Sequence, residues 1–293
     1  MASTETLGTS KDALARVDGA WTTFRLAIAA MGAEALATKT SSGWTRHALV
    51  AHVAAWHRNA AERLAAFASS GAPAPGPQES DDEFNARAVA AAQSKSADAV
   101  LGELDASFDA LRTEIASLGD GDLAAHDGWA AEVVRLNTYE HYEEHHAEIW
   151  AAVPRTPRAL RATIEPAWTR FRSLARAADV ERELGEGWTV KGMLAHVAYW
   201  MEVLPKELPV RLQGRRTPAS DFDAENLRIA ADAAALDRDA ILARLDAGYH
   251  ATMRALDALP PDDEIDFLAI RLVAGETFEH FREHRRDLEA RAR

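Results

Sequence analysis

The residues best suited to chemistry are histidines in two similar segments. Thr138-Tyr139-Glu140-His141-Tyr142-Glu143-Glu144-His145 is followed near the C-terminus by Thr277-Phe278-Glu279-His280-Phe281-Arg282-Glu283-His284. Each places two imidazoles four residues apart. On a helix such positions are neighbours, roughly 5–6 Å between Cβ atoms, so one metal ion can take both rings. A third histidine recurs upstream in each half. His52 lies in Leu49-Val50-Ala51-His52-Val53-Ala54-Ala55-Trp56, and His196 in Met193-Leu194-Ala195-His196-Val197-Ala198-Tyr199-Trp200. Three neutral imidazoles suit zinc, nickel, iron or copper and leave positions open for water or substrate, the pattern of a catalytic rather than a purely structural site.

The elements that would carry these residues repeat in the same order. Gly43-Trp44-Thr45 precedes His52 as Gly187-Trp188-Thr189 precedes His196. Ala20-Trp21-Thr22 answers Ala167-Trp168-Thr169, and Leu104-Asp105-Ala106 answers Leu245-Asp246-Ala247. The chain therefore reads as a tandem duplication with halves near 1–153 and 156–293, joined through Pro154 and Pro157, which cannot continue a helix interior. Apolar spacing predicts helices at about 9–32, 45–70, 97–118 and 129–152 in the first half, with a short piece near 81–92. The second half repeats them at about 157–179, 189–213, 235–258 and 264–290, with a piece near 221–232. Thr45 and Ser96 are candidate N-caps. No stretch alternates long enough to predict a strand. The expected fold is all-α, two tandem four-helix bundles with a long crossover between the second and third helices of each.

Composition narrows the function classes. Ala, Leu, Arg and Glu dominate the 293 residues, with 16 Gly and 11 Pro, as in helical proteins. A net charge of -13 repels phosphate backbones, and no cluster of Lys and Arg with interleaved aromatics is present, so nucleic acid is not an expected partner. No apolar run reaches the ~18 residues of a membrane span, and the first residues lack a secretory pattern; a cytoplasmic location is expected. There is no cysteine, so any thiol chemistry needs an external thiol.

Around the histidines, Glu148 and Asp287 lie three residues beyond the second histidine of each pair. Each is open to three readings: orienting an imidazole, acting as a general base, or being a solvated charge. Asn137, one turn before His141, corresponds to Glu276. Glu148 and Asn137 are the candidate catalytic residues. Other histidines are unpaired in the repeat: His47 answers Lys191, His57 answers Met201, and His146 answers Arg285. Drift on exposed faces accounts for most of these, and the richer first half is the one expected to be active if only one is. Trp56 and Trp200 are pocket candidates. Asn85 with Arg87, and Asn226 with Arg228, read as capping or surface residues that could reach a site mouth.

At these residues the chain resembles the DinB-like superfamily of four-helix-bundle metalloproteins, through Gly-Trp-Thr with Ala-His-Val on the second helix and His-x-x-x-His on the fourth. It looks most like the ClbS/DfsB branch. It is also similar to mycothiol-dependent maleylpyruvate isomerases and YfiT-like thiol transferases. The resemblance implies a divalent metal (zinc, nickel or iron, zinc first among them) held by His52, His141 and His145 and again by His196, His280 and His284. It implies a small electrophilic substrate attacked by water, as in opening a strained ring, or by a low-molecular-weight thiol such as mycothiol. Arg87 and Arg228 are candidates for a thiol's carboxylates. Family members commonly pair through bundle faces, so an intrachain pseudo-dimer, a monomer or a homodimer is expected. The alternative is a non-catalytic protein that sequesters a small reactive metabolite.

Overall fold

The computed structural model describes residues 9–217 and 221–289. The chain divides into two compact units, the first ending at Ala152 and the second beginning at Val153. In the first unit, α1 (Ser10–Met31) leads through a 3₁₀ segment (Ala33–Ala37) into α2 (Arg46–Ser70). Then come α3 (Asp81–Ala92) in the crossover, α4 (Ala97–Ser117), α5 (Asp120–Asn137) and α6 (Tyr139–Trp150). The second unit holds α7 (Pro157–Ala177), β1 (Glu183–Gly185), β2 (Trp188–Thr189), α8 (Val190–Arg211) and α9 (Phe222–Ala233). It closes with α10 (Arg238–Asp257), α11 (Phe267–Ala274), a π-helical turn (Gly275–Glu279) and α12 (His280–Glu289). Both units are helical bundles with a short helix in the crossover.

The starts of the helices follow local side-chain chemistry. The Thr45 hydroxyl accepts from the Ala48 amide and the Ser96 hydroxyl from the Ala99 amide, as their positions predict. Each satisfies an orphan donor worth about 1 kcal/mol to the helix. Gly71 ends α2 in the left-handed region at φ 70°. Along α4, Val100, Leu104, Leu111 and Ile115 are fully buried at helical spacing, and α2 packs along this face. Each such side chain contributes roughly 1.5–3 kcal/mol by leaving water. Ala48 through Ala55 is buried without interruption, on a helix against which α3, α4, α5 and α6 all pack. This puts His52 inside the bundle.

Two departures from the sequence expectation bear on the site. A two-stranded ladder, β1 with β2, precedes α8. Its tight turn needs positive φ at Glu186 (51°) and Gly187 (79°), the conformation of two-residue hairpins. It is too short to show as period-two alternation. The fourth helix is also interrupted in both units. A left-handed segment at His126, Asp127 and Gly128 kinks α5, and Thr138 at φ -130°, ψ -104° separates α5 from α6. In the second unit the interruption is the π-helical turn at Gly275–Glu279. The same side chain sits at both breaks: the buried Thr138 hydroxyl donates to the Val134 carbonyl at 2.7 Å, and the buried Thr277 hydroxyl donates to that of Val273. A threonine bonding back one turn competes with the regular ladder and bends a helix. The break immediately precedes the first histidine of each pair, so it resets which face the pair presents.

Candidate metal centre

Helix α2 brings in His52, α6 brings in His141 and His145, and α3 lies over them from the crossover. The candidate ligand nitrogens of His52, His141 and His145 all lie within 4.8 Å of one another, as do those of His196, His280 and His284. Ring centroids are 4.8, 5.2 and 4.9 Å apart in the first set. They are 4.8, 5.3 and 5.0 Å apart in the second. The expected three-histidine groupings are brought together twice, with closely matching geometry.

Hydrogen bonds decide which nitrogen faces inward for four of the six rings. Asn85 Oδ1 accepts from Trp56 Nε1 at 2.9 Å, and an indole N–H can only donate, which assigns that atom as the amide oxygen. The same oxygen is 2.9 Å from His52 Nδ1, so Nδ1 carries the proton and Nε2 carries the lone pair. That Nε2 lies 2.8 Å from His141 Nε2. His145 Nδ1 donates to Glu148 at 3.2 Å, leaving its Nε2 free to coordinate. In the second unit Asn226 accepts from His196 Nδ1 (2.9 Å) and Trp200 Nε1 (3.1 Å). His196 Nε2 meets His280 Nε2 at 2.8 Å, and His284 Nδ1 donates to Asp287 at 3.0 Å. Fixing the outer ring nitrogen on a carbonyl or carboxylate is how proteins aim an imidazole at a metal.

Protonation states agree. Burial, then the neighbouring His145 ring, lowers the pKa of His52 to about 4. Burial and the adjoining rings lower His141 to about 2. His196 is likewise lowered to about 4, and His280 falls well below its ordinary value. These four imidazoles are neutral at pH 7, the form that binds metal. Nδ1 of His141 and of His280 is buried without a hydrogen-bond partner. An ion at Nε2 would relieve the close nitrogen pair and leave the proton on Nδ1, so the residues present fit a divalent metal.

Glu148 is held on two sides. Ser42 donates to its carboxylate at 2.7 Å, and its backbone carbonyl accepts from Arg46 Nε at 2.8 Å. Burial pushes the carboxyl up, but hydrogen bonds from Ser42, His145 and Thr40 outweigh it and leave the pKa below the ordinary value. Asn137 is buried, donates to the Val133 carbonyl at 2.8 Å, and lines the same pocket as the histidines. That pocket has a volume of about 760 Å³ and includes Trp44 and Trp56. The second-unit pocket, about 510 Å³, is lined by Trp188, Asn226 and the three histidines.

Residues 16–149 match the family model of the DinB superfamily, and residues 184–291 match that of the mycothiol maleylpyruvate isomerase N-terminal domain. The chain is a tandem of two DinB-type domains. No curated protein and no solved structure matches it.

Several residues fall elsewhere than the sequence placed them. Asn85 and Asn226 are neither caps nor surface residues; they anchor the α2 and α8 histidines, and their identical place in the two DinB-type repeats was the available signal. Arg87 bonds Glu79, and Arg228 bonds Glu225 and Asp232; neither lines a histidine pocket. His57 is fully buried rather than drifting on a surface. His47 and His126 bond the backbone carbonyls of Lys95 and Gly71, and His146 stacks on Trp150. No helix among the described residues is long and apolar enough to cross a membrane.

Proposed function

We propose that each DinB-type domain holds one divalent ion, zinc first among the candidates, on its three histidines. The first domain uses it to add a low-molecular-weight thiol to a small electrophile. The observation that carries this reading is the convergence of three imidazoles, two of them with outer nitrogens pinned by Asn85 and Glu148. A bound ion supplies Lewis acidity, lowering the pKa of a thiol or water at an open position. Asn85 and Trp56 hold His52. Glu148, kept ionised by Ser42 and His145, orients an imidazole rather than collecting a proton. Asn137, anchored through its amide to Val133, positions the reacting molecule from the pocket wall.

The mycothiol maleylpyruvate isomerase model matches the second domain, residues 184–291, and supports a thiol over water in the first only through the histidine geometry the two domains share; the cysteine-free chain requires that thiol to come from outside. Addition of water, as in the ClbS/DfsB branch, is the competing chemistry at the same site.

Elemental mass spectrometry on tag-free protein tests the reading. Wild type is expected to carry two ions per chain, and His141→Ala and His280→Ala to lose one each. Thiol consumption against an electrophile panel should then require the ion in the first domain. Failure to retain zinc, nickel or iron after reconstitution would leave only sequestration of a metabolite.

A further inference from the structure

Helix α2 continues its site-facing stripe beyond the metal centre. His52, Trp56, Asn59 and Arg63 follow one another at i, i+4, i+7 and i+11, so they share one face. Arg63 lines the histidine pocket, and it is the one Lys or Arg among the described residues that does. It also lines the adjoining cavity beneath the loop at Gly76 and Pro77. Its Nε is buried with no hydrogen-bond partner, and so is Asn59 Oδ1. No carboxylate reaches it within ion-pair distance among the described residues. Its guanidinium lies 5.3 Å from the Trp129 ring centroid, and a Cβ built on Gly76 would stand 4.0 Å from its Cζ. A half-buried cation with an unmet donor is costly unless something anionic completes it.

We propose that Arg63 is the carboxylate-binding residue of the first-domain pocket, positioned by Trp129, and that the first domain takes a small organic acid. The planar guanidinium offers paired donors that match a carboxylate. Burial lowers the pKa of Arg63 against the raising effect of Glu132, yet a guanidinium keeps its charge. The acidic residues of the pocket do not neutralise it. Asp81 and Glu144 are exposed, and Glu148 is bonded to Ser42 and His145. The second domain is built the other way. Val203 and Glu207 occupy the repeat positions of Asn59 and Arg63, and Glu207 accepts from Arg211 and Thr217 at 3.0 and 3.1 Å. Its pocket has no Lys or Arg lining among the described residues.

This inference uses the proposed function only in taking the carboxylate to belong to a reacting molecule. The binding test needs neither metal nor turnover. Succinate and its neutral diamide are titrated calorimetrically into the full-length, metal-free protein. Succinate is expected to bind once per chain and the diamide at least tenfold more weakly. R63Q should weaken succinate at least tenfold and R63K should recover part of it, with unchanged circular dichroism in each. His52→Ala should still bind succinate, which separates this site from the metal reading. With zinc present, mercaptosuccinate binding tenfold tighter than succinate assigns the carboxylate to the thiol, and equal binding assigns it to the electrophile; either supports the subsite. Absence of succinate binding, two equal sites per chain, or R63Q binding like wild type would overturn it.

Discussion

The two domains share their histidines and the groups that aim them, and differ in almost every other polar residue near the site. In the first domain a buried chain runs from Tyr142 to His57 (2.8 Å), from His57 to Ser107 (3.2 Å) and from Ser107 to the Leu104 carbonyl (2.9 Å). The repeat positions in the second domain are Phe281, Met201 and Gly248. A Cβ at Gly248 would stand 3.0 Å from the Ala198 carbonyl oxygen and 3.2 Å from Met201 Cβ, so the apolar version is packed too closely to accept a serine. Both solutions leave no polar group of the trio unpaired, which is the condition for burying one. The difference teaches that the histidine geometry goes with the short list kept in common: Asn85 and Asn226, Glu148 and Asp287, and the threonine-bent fourth helix. The surrounding core can be polar or apolar without moving it.

Acid should break the symmetry most. Burial holds the pKa of His57 at about 3, while the unfolded chain titrates near 6.5. Between those values the unfolded state binds more protons, so stability is fully present above pH 6.5 and falls as pH drops toward 3, by about 1.4 kcal/mol per pH unit from this one group. His52 and His196 push the same way in metal-free protein. Denaturant unfolding of H57M/Y142F, which installs the second-domain residues, should show a shallower loss between pH 6 and 4 than wild type. Parallel curves would refute the assignment.

Removing an aiming residue comes next. N85A should weaken metal binding in the first domain about 10–100-fold, and N226A should do the same in the second. Each should leave the other site unchanged in a chelator competition. Loss at both sites from one variant would show that the domains do not hold metal independently.

Tyr142 sets a smaller test of the core. Y142F removes the donor to His57 Nε2 and leaves a buried acceptor unmet, costing about 1–3 kcal/mol. The double variant H57M/Y142F should recover much of that, since both partners are then apolar as in the second domain. A double variant less stable than Y142F would contradict the pairing.

Much of this was legible in the sequence. The duplication, the helix positions, the caps at Thr45 and Ser96 and all six clustered histidines follow from periodicity and residue type. What was not legible depends on distant chain. Asn85 reads as an ordinary residue of a short helix until the crossover folds it back over His52. Thr138 reads as mid-helix, because a hydroxyl that bonds back one turn breaks the ladder only where packing rewards the bend. His57 reads as a stray surface histidine unless Ser107 and Tyr142 are set beside Gly248 and Phe281 together.

The smallest expected effect separates the two sites where they differ closest to the ligands. Glu276 stands where the first domain has Asn137, and its carboxylate lies 4.0 Å from the unpartnered Nδ1 of His280. Burial and then Glu207 raise its pKa to about 7, with Arg211 and Arg271 opposing. A cation at His280 Nε2 would favour the ionised carboxylate and the proton on Nδ1, so Glu276 should strengthen the second site. Asn137, whose amide is spent on Val133, gives no such charge. E276Q should therefore loosen zinc at the second site by a few-fold up to about tenfold, within the span outer ligand partners command, and should bring its affinity toward that of the first. Zinc affinity measured in His141→Ala, where only the second site remains, reads this directly. If E276Q leaves that affinity untouched, the carboxylate is a packing residue and does not tune the second site.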